Sequence, residues 1–272
     1  MPRLCLVMTC LLAMICIMFQ SWLPNLHGAE EAKGGITDEW LSGFHSILGQ
    51  GNLYYYACAT CHDVNGDGRG PSAYPLNPKP RDFTTGVYKC RSTPSGSLPT
   101  DEDIFKSIKR GFHGTKMPSW KLLISDRQIW NLVEFIKTFS DRFREEEPEV
   151  PIIIPEEVPV TTETITEGKK LYEANKCWEC HGHKGKGDGP KSGELKDDLG
   201  NRIKPTNLTR GVYKCGDSNA DLYRTIVTGM DGTPMPSYSD SIQDEEDRWY
   251  LVHYIRSLEK KKNLFDCLVK GD

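Results

Sequence analysis

The sequence predicts two small domains of like build set in tandem, whose periodic segments are helices. Three observations carry this reading. The pentapeptide Cys58-Ala59-Thr60-Cys61-His62 returns as Cys177-Trp178-Glu179-Cys180-His181. Each copy is entered through a Leu-Tyr run and followed by the same landmarks: a glycine-rich loop, Gly-Val-Tyr-Lys-Cys, a short helix, a Met-Pro turn and an amphipathic closing helix. A stretch rich in proline and glutamate over residues 141–165 separates the two copies. With 272 residues the chain has room for two domains of roughly 100 residues each, plus flanking segments.

Residues 1–29 carry the marks of an export signal: Arg3, an apolar run over residues 4–19, then Leu26-His27-Gly28-Ala29 ahead of a cut. The run is shorter than the ~20 residues of a bilayer span, so cleavage is expected over retention as an anchor. The first domain is then expected over residues 30–140, the linker over 141–165, and the second domain with a charged tail over 166–272. Thr37-Asp38 reads as a helix start, with Trp40, Leu41, Phe44, Ile47 and Leu48 at helical spacing. Leu53-Tyr54 leads into the first pentapeptide and Leu171-Tyr172 into the second, the latter with one extra residue that a local adjustment of the helix must absorb. Asp63, Asn65, Asp67 and Gly68 match the opening of a calcium loop, but Tyr74 stands where a bidentate glutamate is required, so calcium is not expected.

Further on, Asp103 to Ile108 matches Asp221 to Ile226 as a short helix. The copies close on Trp130, Leu132, Val133, Phe135 and Ile136, and on Trp249, Leu251, Val252, Tyr254 and Ile255. Pro148, Pro151, Pro155 and Pro159 make the linker extended rather than helical. Its Ile152-Ile153-Ile154 run is too apolar for a free tether and is expected to lie along one domain surface.

The formal charge of −4, without any Lys/Arg-rich block, excludes a nucleic-acid role. The repeated pentapeptide points to specific chemistry. Two thiols on one helical turn can form thioethers to both vinyl groups of one porphyrin, and the next histidine supplies the nitrogen beneath the iron. Cys-x-x-Cys-His is the attachment signature of c-type haem. Two covalently bound haem c groups follow, one on Cys58, Cys61 and His62, the other on Cys177, Cys180 and His181. Bound macrocycles also explain how small domains in a chain with only 38% hydrophobic residues close a core.

Met117 and Met235, each before proline and at matching distances after His62 and His181, are the candidate sixth ligands. Met230 competes in the second copy, but its counterpart in the first is Phe112. His45, His113, His183 and His253 do not recur between the copies and are read as packing or surface residues. A His/Met pair fills both axial positions, which leaves one-electron exchange at the haem edge and no catalytic residue.

The ordered set of Leu-Tyr, Cys-x-x-Cys-His, glycine-rich loop, Met-Pro and closing aromatic helix resembles class I cytochrome c over residues 37–140 and 166–258. The tandem arrangement resembles dihaem cytochromes of the c4 type. The resemblance implies an all-α fold around each haem and an exported, periplasmic protein that passes single electrons in a respiratory chain. Its implied partners are other redox proteins or a membrane quinol-oxidising complex. Two alternatives stay open: a haem-bearing subunit of a larger periplasmic oxidoreductase, and a dihaem enzyme, peroxidase-like or thiosulfate dehydrogenase-like, with one open or Cys-ligated iron. Gly-Val-Tyr-Lys-Cys departs from the usual class I pattern and is similar to segments in cytochromes that accompany large periplasmic redox enzymes. Its Cys90 and Cys215 have three readings: a disulfide with each other, buried thiols or partners of Cys267, or a thiolate that displaces methionine from an iron.

Overall fold

The computed structural model describes residues 50–260. The expected export signal with Cys5, Cys10 and Cys16, the helix expected after Thr37, His45 and Cys267 lie outside the described residues. Those described form two tandem helical domains, and their one extended pairing is an isolated bridge between Lys196 and Arg202. No helix among them is long and apolar enough to cross a membrane.

The first domain runs α1 (Gln50–Ala57), α2 (Ala59–His62), α3 (Asp101–Arg110) and α4 (Asp126–Lys137). The second runs α6 (Thr162–Ala174), α7 (Trp178–His181), a 3-10 turn (Leu208–Arg210), α8 (Asn219–Thr228) and α9 (Glu245–Ser257). Between them, α5 (Arg142–Glu145) is a single turn. Start signals in the sequence explain where the longer helices begin. Thr100, Ser125, Thr161 and Ser218 each accept from the backbone N–H three residues on, and the residue there bonds back to the cap.

Each core forms where an amphipathic closing helix meets its neighbours. In the first domain Ile129, Leu132, Val133 and Ile136 of α4 pack with Tyr54 and with Ile104, Phe105 and Ile108 of α3. In the second, Trp249, Leu251, Val252 and Ile255 of α9 pack with Tyr172 and with Leu222, Tyr223 and Ile226 of α8. The extra residue before the second pentapeptide is absorbed in one place. Cys58 N–H bonds to the Tyr54 carbonyl, whereas Cys177 N–H reaches back one residue further, to Tyr172, with Lys176 at φ +55°. The two tyrosines therefore keep equivalent roles: Tyr54 Oη donates to Asp63 O at 2.8 Å and Tyr172 Oη to Gly182 O at 2.7 Å.

The linker departs from expectation in two ways. It is not wholly extended, because α5 forms ahead of its prolines and α6 begins at Thr162, where Thr161 supplies the cap. Nor does it lie along one domain only. Ile152 N–H bonds to Ser92 O of the first domain at 2.8 Å, while Ile152, Ile154 and Val158 pack against the core of the second. Alternation explains this: Ile153 between them is exposed, so the extended strand presents its neighbours inward.

Candidate haem sites

Each Cys-x-x-Cys-His sits on a single helical turn that ends against its glycine-rich loop. His62 N–H bonds to Cys58 O at 2.9 Å, and His181 N–H to Cys177 O at the same distance. The carbonyls at the end of these turns would be orphaned, and the loops satisfy them. Gly68 and Gly70 N–H donate to His62 and Cys61 carbonyls, and Gly187 and Gly189 to those of His181 and Cys180. So close an approach requires glycine: a Cβ at Gly70 would overlap the Ala59 and Thr60 carbonyls, and one at Gly189 those of Trp178 and Glu179.

The segments that follow these loops aim the histidines. His62 Nδ1 lies 3.0 Å from the Arg81 carbonyl, and His181 Nδ1 2.9 Å from that of Thr206. A carbonyl only accepts, so Nδ1 carries the proton and Nε2 keeps a lone pair that could serve a metal. Burial depresses both pKa values, chiefly by desolvation, and favours the neutral ring that ligation needs. Phe83 stacks on His62 at 4.5 Å.

The two methionine turns match bond for bond. Phe112 N–H bonds to Met117 O at 3.1 Å and Met230 N–H to Met235 O at 3.0 Å. Thr115 Oγ1 and Thr233 Oγ1 accept from the Met117 and Met235 N–H groups. Met230 thus serves as the base of the turn, as Phe112 does. In the first domain Cys58, Cys61, His62 and Met117 all line one cleft of about 1230 Å³, its open mouth included. In the second, Tyr238, three residues after Met235, and Cys177 pack against the same core.

The remaining histidines among the described residues have other partners. His113 pairs with Asp217 at 2.8 Å, and His183 stacks on Trp178 and reaches Glu173. His253, buried, bridges Thr164 and Glu157. Among the described residues, no further His, Cys, Asp or Glu gathers round either cysteine pair as a metal-binding cluster. Cys58, Cys61, Cys177 and Cys180 are unbridged. Cys90 and Cys215 are joined to each other, Sγ to Sγ, with their Cα atoms 5.2 Å apart; of the three readings of these residues, the structure takes the first.

The family profile described as "Cytochrome c" matches residues 165–259, and the one described as "Cytochrome C oxidase, cbb3-type, subunit III" matches residues 50–136. A chain of the Kuenenia stuttgartiensis reducing HAO-like protein complex Kustc0457/Kustc0458 is 44% identical, with a TM-score of 0.75, over 78% of this chain and 96% of that one. The chain belongs to the dihaem c-type cytochromes. The Cbb3-type cytochrome c oxidase subunit FixP of Azorhizobium caulinodans is 25% identical over 183 residues, 66% of this cytochrome and 49% of FixP. The cytochrome therefore spans about half the length of that curated relative.

The residues of the first cleft fit the cofactor that this family carries. Besides the cysteines and His62, the cleft presents Tyr88 and Trp120, whose Oη and Nε1 are buried and find no partner among the described residues. Two orphaned donors in one cleft call for an acceptor from outside the chain, and haem brings two carboxylates. Sequence reading missed both residues. Their signal was present: Tyr88 belongs to the repeated Gly-Val-Tyr-Lys-Cys, and Trp120 follows the methionine turn. Haem, when bound, supplies a reversible one-electron iron centre; Cys58 and Cys61 are the residues that would attach it, and the cleft walls would shield it from water.

Proposed function

We propose that this cytochrome passes single electrons through two His/Met-ligated haems in an extracytoplasmic compartment, and that it works as an electron-transfer subunit bound to a larger oxidoreductase. His62 with Met117 and His181 with Met235 are the axial pairs in this reading. Filled axial positions on both irons leave no site for a substrate, so chemistry on substrate belongs to the partner. The observation that carries the ligation is the bond-for-bond repeat of the methionine turns, with each histidine held through Nδ1. The observation that carries the partnership is the 44% identity, along nearly its whole length, to a chain of a reducing HAO-like protein complex. Export, with cleavage near residue 29, completes the reading.

Size-exclusion chromatography of the native protein, followed by haem absorbance and N-terminal sequencing, tests the partnership. The expected result is co-elution at fixed stoichiometry with a larger redox protein, and a mature N-terminus downstream of the apolar run. Elution alone as a monomer at every salt concentration would overturn the subunit reading in favour of a diffusing carrier.

A further inference from the structure

The duplicated Gly-Val-Tyr-Lys-Cys segment places a lysine immediately before each cysteine of the interdomain disulfide: Lys89 before Cys90 and Lys214 before Cys215. With those Cα atoms 5.2 Å apart, both lysines are brought to the junction between the domains. Both line the first haem cleft beside Tyr88 and Arg81, and Lys214 is the one lining residue there that the second domain contributes.

Neither ammonium has a carboxylate within ion-pair distance among the described residues. Arg81, beside them, is directed to Asp198 at 3.5 Å. Burial pushes both lysines below the ordinary lysine value, Lys89 to about 8, where the charges of Arg81 and Lys214 add to the effect and those of Asp197 and Asp198 oppose it without cancelling it. A desolvated cation without an ion-pair partner is costly, and here two line one cleft at equivalent positions of a repeated sequence. Such a pair favours an anion in the cleft.

We propose that Lys89 and Lys214 bind the propionate carboxylates of the first haem, so that the second domain completes the cofactor site of the first. The proposal rests on the first haem lying in this cleft. Positive charge held at the haem edge stabilises the added electron, so the lysines raise the reduction potential of this haem. They also give the disulfide a purpose beyond stability, since it fixes Lys214 in a site to which its own domain does not otherwise belong.

Spectroelectrochemical titration of full-length Lys214→Gln, Lys89→Gln and the corresponding arginine variants tests this, with haem content checked as the pyridine haemochrome. With two haems per chain retained, each glutamine variant should lower one of the two waves by about tenfold in the reduction equilibrium, or ~59 mV for a one-electron couple. Arginine should restore it, because charge rather than shape is required. Glutamine variants that keep two haems and leave both waves in place would overturn the proposal. So would arginine variants displaced as far as the glutamine ones. Met117→Ala, titrated alongside, separates the two readings: if it moves neither wave while Lys214→Gln moves one, axial ligation by Met117 fails and the lysine role stands.

Discussion

Asp221 shows how single side chains fix the frame around the second haem site. It closes the capping box of α8 with Ser218 and pairs with Arg224 at 2.6 Å. Burial alone raises its pKa, but hydrogen bonds from Ser218 and the charge of Arg224 outweigh that and hold it below the usual carboxylate value. A folded-state pKa depressed below the unfolded one contributes stability above the unfolded value of about 3.9, and loses it as pH falls through the folded one. Asp221→Asn is therefore expected to cost about 1 kcal/mol at neutral pH, discounted for partial exposure, with the gap to wild type closing below about pH 3. Thermal unfolding across pH 2–7 reads this, and a gap independent of pH would contradict it. At this scale the sequence was legible wherever a residue recurred. The cysteines, His62, His181 and the two methionine turns all stand in matching local structure. Tyr88, Lys89 and Lys214 fall within the repeated Gly-Val-Tyr-Lys-Cys and Trp120 follows the methionine turn, but which wall of a cleft a residue lines is not encoded in spacing.

Helix by helix, the second domain depends on one close crossing. α6 and α9 pack so tightly at Gly168 that a Cβ there would fall on the Tyr250 carbonyl and against Tyr254. Gly168→Ala gains helix propensity in isolation but must push the two helices apart. Overpacking of this kind costs about 1–3 kcal/mol, so the alanine variant should unfold at lower denaturant concentration, and an unchanged midpoint would contradict the crossing. Helix positions were readable from apolar spacing and caps. The linker was only partly readable. Its prolines explain the extended backbone over residues 148–159, but the turn of α5 precedes them, and the cap at Thr161 starts α6 inside the expected linker. That Ile152 would bond to one domain and pack on the other depends on how the domains sit, which local pattern does not reveal.

Across the whole molecule, the junction between domains uses, besides the Cys90–Cys215 bridge, residues that the two copies do not share. Arg91, with a fully buried side chain, pairs with Asp231 at 2.8 Å and donates to the Thr228 carbonyl at 2.6 Å. Asp231 also accepts from Ser95 Oγ and Gly96 N–H. At the equivalent position the second domain has Gly216, so duplication could not signal this contact. Removing one partner of a buried ion pair leaves the other uncompensated, at about 3 kcal/mol. Arg91→Ala should therefore destabilise both domains together in a denaturant titration followed by haem absorbance. Two separate transitions, only one of them shifted, would show that the junction does not couple them.

The central claim is that both irons are closed by strong axial ligands, so that the protein conducts electrons and does not bind substrate at iron. Carbon monoxide added to the fully reduced cytochrome, followed in the Soret band, tests it most directly. No binding is expected to the wild type, and binding to one haem per chain is expected in Met117→Ala or in Met235→Ala. Binding to a haem of the unaltered protein would contradict it, and would mark that iron as open to chemistry.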